Sequence, residues 1–210
     1  INMSLDTDSL VHIIGSIASL YGDIKEAIVR ELITNAIDSH IEAGNPNPIY
    51  VTTPSQLNPY LMIKDYGLGM SRAEVESVWA KVGYSTKRNS NATAGRYGYG
   101  RISPLAYGSQ SMTVVTVKNG QKTTFVVGSD ATSGGLIEVV DVRQTDEPNS
   151  YTASVLVSDP YHHGDFNSAA KKFAKFSSFP VIVNGEPAEQ PIATFYNGVF
   201  KEFEQVGYSN

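Results

Sequence analysis

The run Glu31-Leu32-Ile33-Thr34-Asn35-Ala36-Ile37-Asp38 constrains the fold more than any other stretch, because it sets three acid or amide side chains inside an apolar helical pattern from about Asp23 to Ala43. At ~100° per residue, Glu31, Asn35 and Asp38 fall within about 60° of one another, while Ile28, Leu32, Ile33, Ala36 and Ile37 cover most of the remaining circumference. The helix is therefore expected to be mostly buried with one polar stripe. That stripe has two readings. It faces solvent, as charged residues usually do, or it is buried and satisfied by a bound metal and ligand, since each unpaired buried polar group costs roughly 1 to 3 kcal/mol.

At 210 residues and 41% hydrophobic, the chain can bury a sizeable core and fits one large domain with at most an appendage. A net charge of −5, a pI near 5.3 and no Lys/Arg-rich run give no electrostatic footprint for nucleic acid or an anionic membrane. The absence of cysteine removes disulfides, thiolate nucleophiles and cysteine metal sites. No apolar run approaches the ~20 residues of a membrane span. A cytoplasmic location is the default expectation. The chain opens on Ile1 without a signal-peptide pattern and stops at Tyr208-Ser209-Asn210 without a terminal element, which reads as an N-terminal domain excised from a longer protein. The domain is placed at 1–190, with 191–210 as an extension or the start of a following domain.

In chain order, Asp6 to Tyr21 reads as a first helix, and Gly22-Asp23 breaks and recaps the chain before the long helix. Gly44-Asn45-Pro46-Asn47-Pro48 is a turn, followed by strands at Ile49 to Thr53 and Tyr60 to Lys64. Ser71 to Val82 reads as a helix with a Ser71/Glu74 capping box. Tyr84 to Ala94 is polar and suits a loop. Strands follow near Met112 to Lys118, Thr123 to Val127, Leu136 to Val142 and Thr152 to Val157, with Asn119-Gly120 as a hairpin turn. Asp165 to Ser177 reads as a helix, Val181 to Val183 as a strand and Asn184-Gly185 as another hairpin turn. Helices early and antiparallel strands late predict an α+β two-layer sandwich, one mostly antiparallel mixed sheet with helices on one face.

Two further stretches carry chemistry. In Asp65-Tyr66-Gly67-Leu68-Gly69-Met70, two glycines let the backbone approach a flat ligand, and an aspartate at a strand end can accept from an exocyclic amine such as that of adenine. The same pattern also makes an ordinary tight turn. In Gly95-Arg96-Tyr97-Gly98-Tyr99-Gly100-Arg101, a glycine turn leads to a helix start with Pro104 in its first turn, so free amides form an anion site suited to phosphate. This is neither a Rossmann fingerprint nor a P-loop.

Together and in this order, the three stretches resemble the GHKL ATPase superfamily (gyrase, the ninety-kilodalton heat-shock chaperone, histidine kinases and MutL) and its Bergerat nucleotide-binding fold. The resemblance runs from about Leu10 to Gly185. It implies a general-base role for Glu31 and makes Asn35 the single protein ligand of Mg²⁺, with Asp38 completing the first box. It implies that Asp65 binds the adenine amino group, with Gly67, Gly69 and Met70 at the base pocket and Thr152 behind it. Gly95 to Arg101 would meet the phosphates, Tyr84 to Ala94 would be a lid, and Ser85, Thr86 and Lys87 within it would approach the triphosphate. The implied cofactors are ATP or ADP and Mg²⁺. The segments from Arg30 to Gly44, Gly83 to Arg88 and Gly98 to Tyr107 are more closely similar to phage rIIA-type proteins, with Arg101-Ile102 departing from the Ser-Lys expected there.

Three function classes follow: an ATPase whose nucleotide state drives closure and homodimerisation, an ATP-binding module without turnover that meets a phage or host protein through a missing C-terminal portion, and a histidine-kinase catalytic domain. Too little chain precedes the first box for a phosphoacceptor hairpin. His12, His40, His162 and His163 read as surface or packing residues.

Overall fold

The structure, a computed structural model, describes residues 22–75, 103–107, 111–128, 136–188, 193–196 and 201–203. The expected first helix and the segment 76–102, with its lid and most of the glycine cluster, lie outside the described residues.

The long helix, α1, spans Ile24–Ala43. It begins there because extended Asp23 turns its carboxylate back onto the free amides of Lys25 and Glu26, and it ends where Gly44 adopts φ 64° and returns its own N–H to the last carbonyls. Ile28, Val29, Leu32, Ile33 and Ala36 are all under 8% exposed, so the helix is sunk into the core as its composition requires. Exposed ion pairs, Lys25 to Asp165 at 2.6 Å and Lys172 to Glu26 at 2.7 Å, join its first turns to α4 (His163–Phe176) and contribute little by themselves. Short helices α2 (Arg72–Glu74) and α3 (Ser103–Ala106) lie between them in sequence. No helix among the described residues is long and apolar enough to cross a membrane.

The strands are β1 (Ile49–Thr52), β2 (Tyr60–Asp65), β3 (Ser111–Lys118), β4 (Gln121–Gly128), β5 (Leu136–Gln144), β6 (Ser150–Leu156), β7 (Val181–Val183) and β8 (Glu186–Pro187). They form one sheet in the order β5-β4-β3-β6-β2-β1-β7-β8. Every described neighbour is antiparallel except β1 with β7, so the sheet is mixed but mostly antiparallel, as expected. A separate two-stranded sheet pairs β9 (Ala193–Tyr196) with β10 (Lys201–Phe203). Asn119-Gly120 and Asn184-Gly185 carry positive φ at both positions, the backbone of tight primed hairpin turns.

Period-2 alternation assigns the sheet's faces. Ile49, Val51, Leu61, Ile63, Val114, Phe125, Ala153, Val155, Val181 and Val183 are buried, and with Ile28, Ile33, Phe166 and Ala170 they form one core beneath α1 and α4. Tyr50, Tyr60 and Leu156 on the opposite face remain 40% exposed. The two-layer sandwich is thus established, with α1 laid across the strand that ends in Asp65.

Candidate functional site

Glu31, Asn35 and Asp38 do share a side of α1, but at unequal depth. Glu31 and Asn35 are half-buried, with Arg30 Nη2 3.4 Å from Glu31 Oε1, whereas Asp38 is only 5% exposed. Burial along α1 follows which side of the helix a residue is on and not its position along the axis, since Ile28 near its start is fully buried and Ile41 near its end is 63% exposed. Asp38 therefore sits farther from solvent than the simple solvent-facing stripe would put it.

Asp65 lies where the C-terminal half of α1 meets the sheet, its following turn bonded to Ser39 and His40. It shares the helix face with Leu61 and Ile63 and is 3% exposed. Its Oδ1 accepts the Gly67 N–H at 2.9 Å. Burial pushes its carboxyl up to about pKa 7, against the opposing pull of the Gly67 amide and the Ser39 hydroxyl. The turn that follows is held almost peptide by peptide. Tyr66 N–H donates to His40 Nε2 at 2.7 Å and Tyr66 C=O accepts from Asn45 Nδ2 at 2.6 Å. Leu68 N–H donates to Ser39 Oγ at 3.0 Å, and Met70 N–H to Thr116 Oγ1 at 2.7 Å, whose hydroxyl in turn donates to Ser150 C=O at 3.0 Å. The capping box of Ser71 and Glu74 then starts α2, with Lys118 Nζ 2.6 Å from Glu74 Oε1.

Both glycines are required here. A Cβ on Gly67 would collide with Ser39, and Gly69, at φ 61°, would drive one into the carbonyl oxygen of Val117. Met70 packs at the core's edge, one residue beyond. Asp65, Gly67, Gly69 and Met70 thus form one small rigid unit at the end of β2, beside the C-terminal half of α1.

Thr152 corrects the expectation. It pairs with Lys64 on β2 and with Val115 on β3, whereas Asp65 pairs with Tyr151. Directly opposed residues share a face and adjacent ones do not, so Thr152 points to the open side of the sheet, away from Asp65. The threonine behind the turn is Thr116, fully buried and bonded to Met70. Sequence reasoning missed Thr116, Ser39 and Asn45; of these, Ser39 alone had a local signal, one residue past the box on α1. His40 is inside the protein, 0% exposed. Ser85, Thr86, Lys87, Gly95, Arg96, Tyr97, Gly98, Tyr99, Gly100 and Arg101 lie outside the described residues, while Ser103, Pro104 and Leu105 of α3 are buried just after them.

The chain is similar to known proteins. The chain is 25% identical to the mitochondrial TNF receptor-associated protein 1 homolog of Dictyostelium discoideum, an alignment that takes in 97% of this chain and 32% of that protein. Its fold is similar to the crystal structure of the ATPase region of Saccharomyces cerevisiae topoisomerase II, with TM-score 0.57 and 18% identity over 77% of this chain and 48% of the other. The chain thus spans about a third of the curated relative and about half of the solved one. Residues 23–155, which begin at the cap of α1 and run through β2, its turn and β3 to β6, match the family described as histidine kinase-, DNA gyrase B- and HSP90-like ATPase, and the chain belongs to that family.

Proposed function

We propose that this chain binds Mg-ATP through its adenine ring and hydrolyses it slowly, as the nucleotide-binding domain of a longer protein. The observation that carries the reading is Asp65, a carboxyl held 3% exposed at a strand end and followed by a turn whose two glycines pack directly against Ser39 and Val117. A buried carboxylate is costly unless something donates to it, and an exocyclic amine is such a donor. Adenine presents that amine; guanine presents a carbonyl in its place and would leave two acceptors facing each other.

Glu31 is the general base in this reading, half-exposed on α1 where it can reach water, and Asn35 lies one turn on, toward Asp65. The residues fit a magnesium ion held largely by its nucleotide. Among the described residues no three His, Asp or Glu side chains gather to hold a metal, while the Asn35 carboxamide offers one hard oxygen. The remaining positions would fall to phosphate and water, and the cation would neutralise charge on the phosphates. Nucleotide-dependent homodimerisation and a phage rIIA-type parent in the host cytoplasm complete the proposal; support for the parent is the similarity of Arg30 to Gly44 and of Gly98 to Tyr107.

Calorimetric titration with ATP and GTP in Mg²⁺ tests the reading. ATP is expected to bind and GTP to bind at least tenfold more weakly, and equal affinities would remove Asp65 from the base site. Sedimentation of the full-length parent with a non-hydrolysable ATP analogue tests dimerisation, which a monomer under saturating analogue would exclude.

A further inference from the structure

His40 is fully buried in the last turn of α1, and both of its ring nitrogens are used. Nε2 lies 2.7 Å from the Tyr66 amide nitrogen and Nδ1 lies 3.2 Å from the Asn45 carbonyl oxygen. An amide can only donate, so Nε2 is bare and Nδ1 carries the hydrogen given to Asn45. The backbone therefore fixes one neutral tautomer, and the ring packs edge-on against Phe179 with centroids 5.1 Å apart. Burial, the dominant influence on its pKa, lowers it and so favours the neutral form.

An aliphatic side chain would fill this space more cheaply, since burying an imidazole is worthwhile only if its polar atoms are needed. They are needed by Tyr66, the residue after Asp65. We infer that His40 is a positioning residue for nucleotide recognition, locking the turn that carries Asp65, Gly67 and Gly69 in register with the helix that carries Glu31 and Asn35. Ser39 and Asn45 supply the flanking bonds, to the Leu68 amide and the Tyr66 carbonyl. Three side chains within seven residues at the end of α1 thus hold the base end of the site. Because α1 is a continuous helix, the spacing between base recognition and the phosphate end is set by its length rather than by a loop.

This inference rests on the adenine role proposed for Asp65, and its test separates the two. His40→Gln retains an acceptor able to reach the Tyr66 amide, whereas His40→Met retains volume alone. Amide hydrogen exchange on the nucleotide-free chain is expected to show residues 66 and 68 exchanging about tenfold faster in His40→Met than in His40→Gln, the consequence of one lost buried acceptor. ATP affinity should fall about tenfold in His40→Met, with GTP affinity unchanged, and should recover to within a few-fold of native in His40→Gln. Equal exchange and equal ATP affinity in the two variants would overturn the inference and leave His40 a packing residue. Should both variants unfold, Asn45→Ala, which removes the bonds of that side chain to the Tyr66 carbonyl and the Asn47 amide while leaving the His40 ring in place, decides the matter: unchanged exchange at residues 66 to 68 would overturn it. A native chain that fails to bind ATP while keeping the predicted exchange pattern would refute the nucleotide reading and leave the lock intact.

Discussion

Replacing Asp65 by Asn should stabilise the nucleotide-free protein while destroying its recognition of adenine. The carboxyl has a pKa of about 7 in the fold against 3.8 in an open chain. At about 1.4 kcal/mol per pH unit, that difference puts the ionised form at a disadvantage of roughly 4 kcal/mol above neutrality. The sign follows from proton counting. Between pH 3.8 and about 7 the folded state holds a proton that the unfolded state has released, so the contribution of Asp65 to stability is complete below 3.8 and lost as pH rises through about 7. Asn keeps an oxygen for the Gly67 amide and loses only the charge and about 1 kcal/mol of hydrogen bonding to Ser39. At pH 8 the variant should therefore gain about 2 to 3 kcal/mol, or about 5 to 10 °C in Tm for a domain of this size. At pH 4 the gain should vanish. The assay is thermal unfolding of both proteins at intervals from pH 4 to 8, read as a difference. His40, whose depressed pKa contributes stability above 6.5 that is lost on acidification, and Glu74, whose lowered pKa acts in the same direction at lower pH, occur in both proteins and cancel. A difference that is flat with pH, or a variant less stable at pH 8, would refute the reasoning about Asp65.

Gly69→Ala should destabilise the fold by more than about 2 kcal/mol, because it adds a Cβ at φ 61° against the Val117 carbonyl; urea unfolding measures it. Thr116→Val should cost about 1 to 3 kcal/mol by leaving the Met70 amide without its acceptor, whereas Thr152→Val, on the open face, should change stability and ATP affinity little; the paired unfolding and binding measurements check both. Glu31→Ala should lower single-turnover ATP hydrolysis at least ~100-fold with affinity nearly intact, while Asn35→Ala should weaken Mg-ATP binding itself; hydrolysis at the native rate in Glu31→Ala would remove it as the base.

What could be read from the sequence was whatever local chemistry decides. The limits of α1 were legible because Asp23 and Gly44 act on amides and carbonyls within a few residues of themselves. The strand ending at Asp65 and the two Asn-Gly hairpins were legible for the same reason. Thr152 was misplaced because a strand has a period of two: a choice between positions 151 and 152 reverses the face, and only the pairing of Asp65 with Tyr151 decides it. Thr116 was invisible because its partner Met70 lies 46 residues away and nothing near it in sequence requires a hydroxyl. The depth of Asp38, 5% exposed, depends on what packs against that side of α1, which helical periodicity does not contain.

Gly67 and Ser39 show how the local and distant contributions depend on each other. Without a Cβ at Gly67, Ser39 can come close enough to receive the Leu68 amide and to bond Asp65. A larger residue at Gly67 would push α1 off the turn, and with it His40 from Tyr66. Conversely, a larger residue at position 39 would meet the turn at its tightest point. The glycine spacing that suggests a flat ligand therefore serves a second purpose before any ligand arrives: it lets a helix and a strand end approach closely enough for side chains of one to satisfy the backbone of the other. Asp65 can be kept buried because its turn is held this way, and a carboxyl so held is available to whatever donor enters the space beside it.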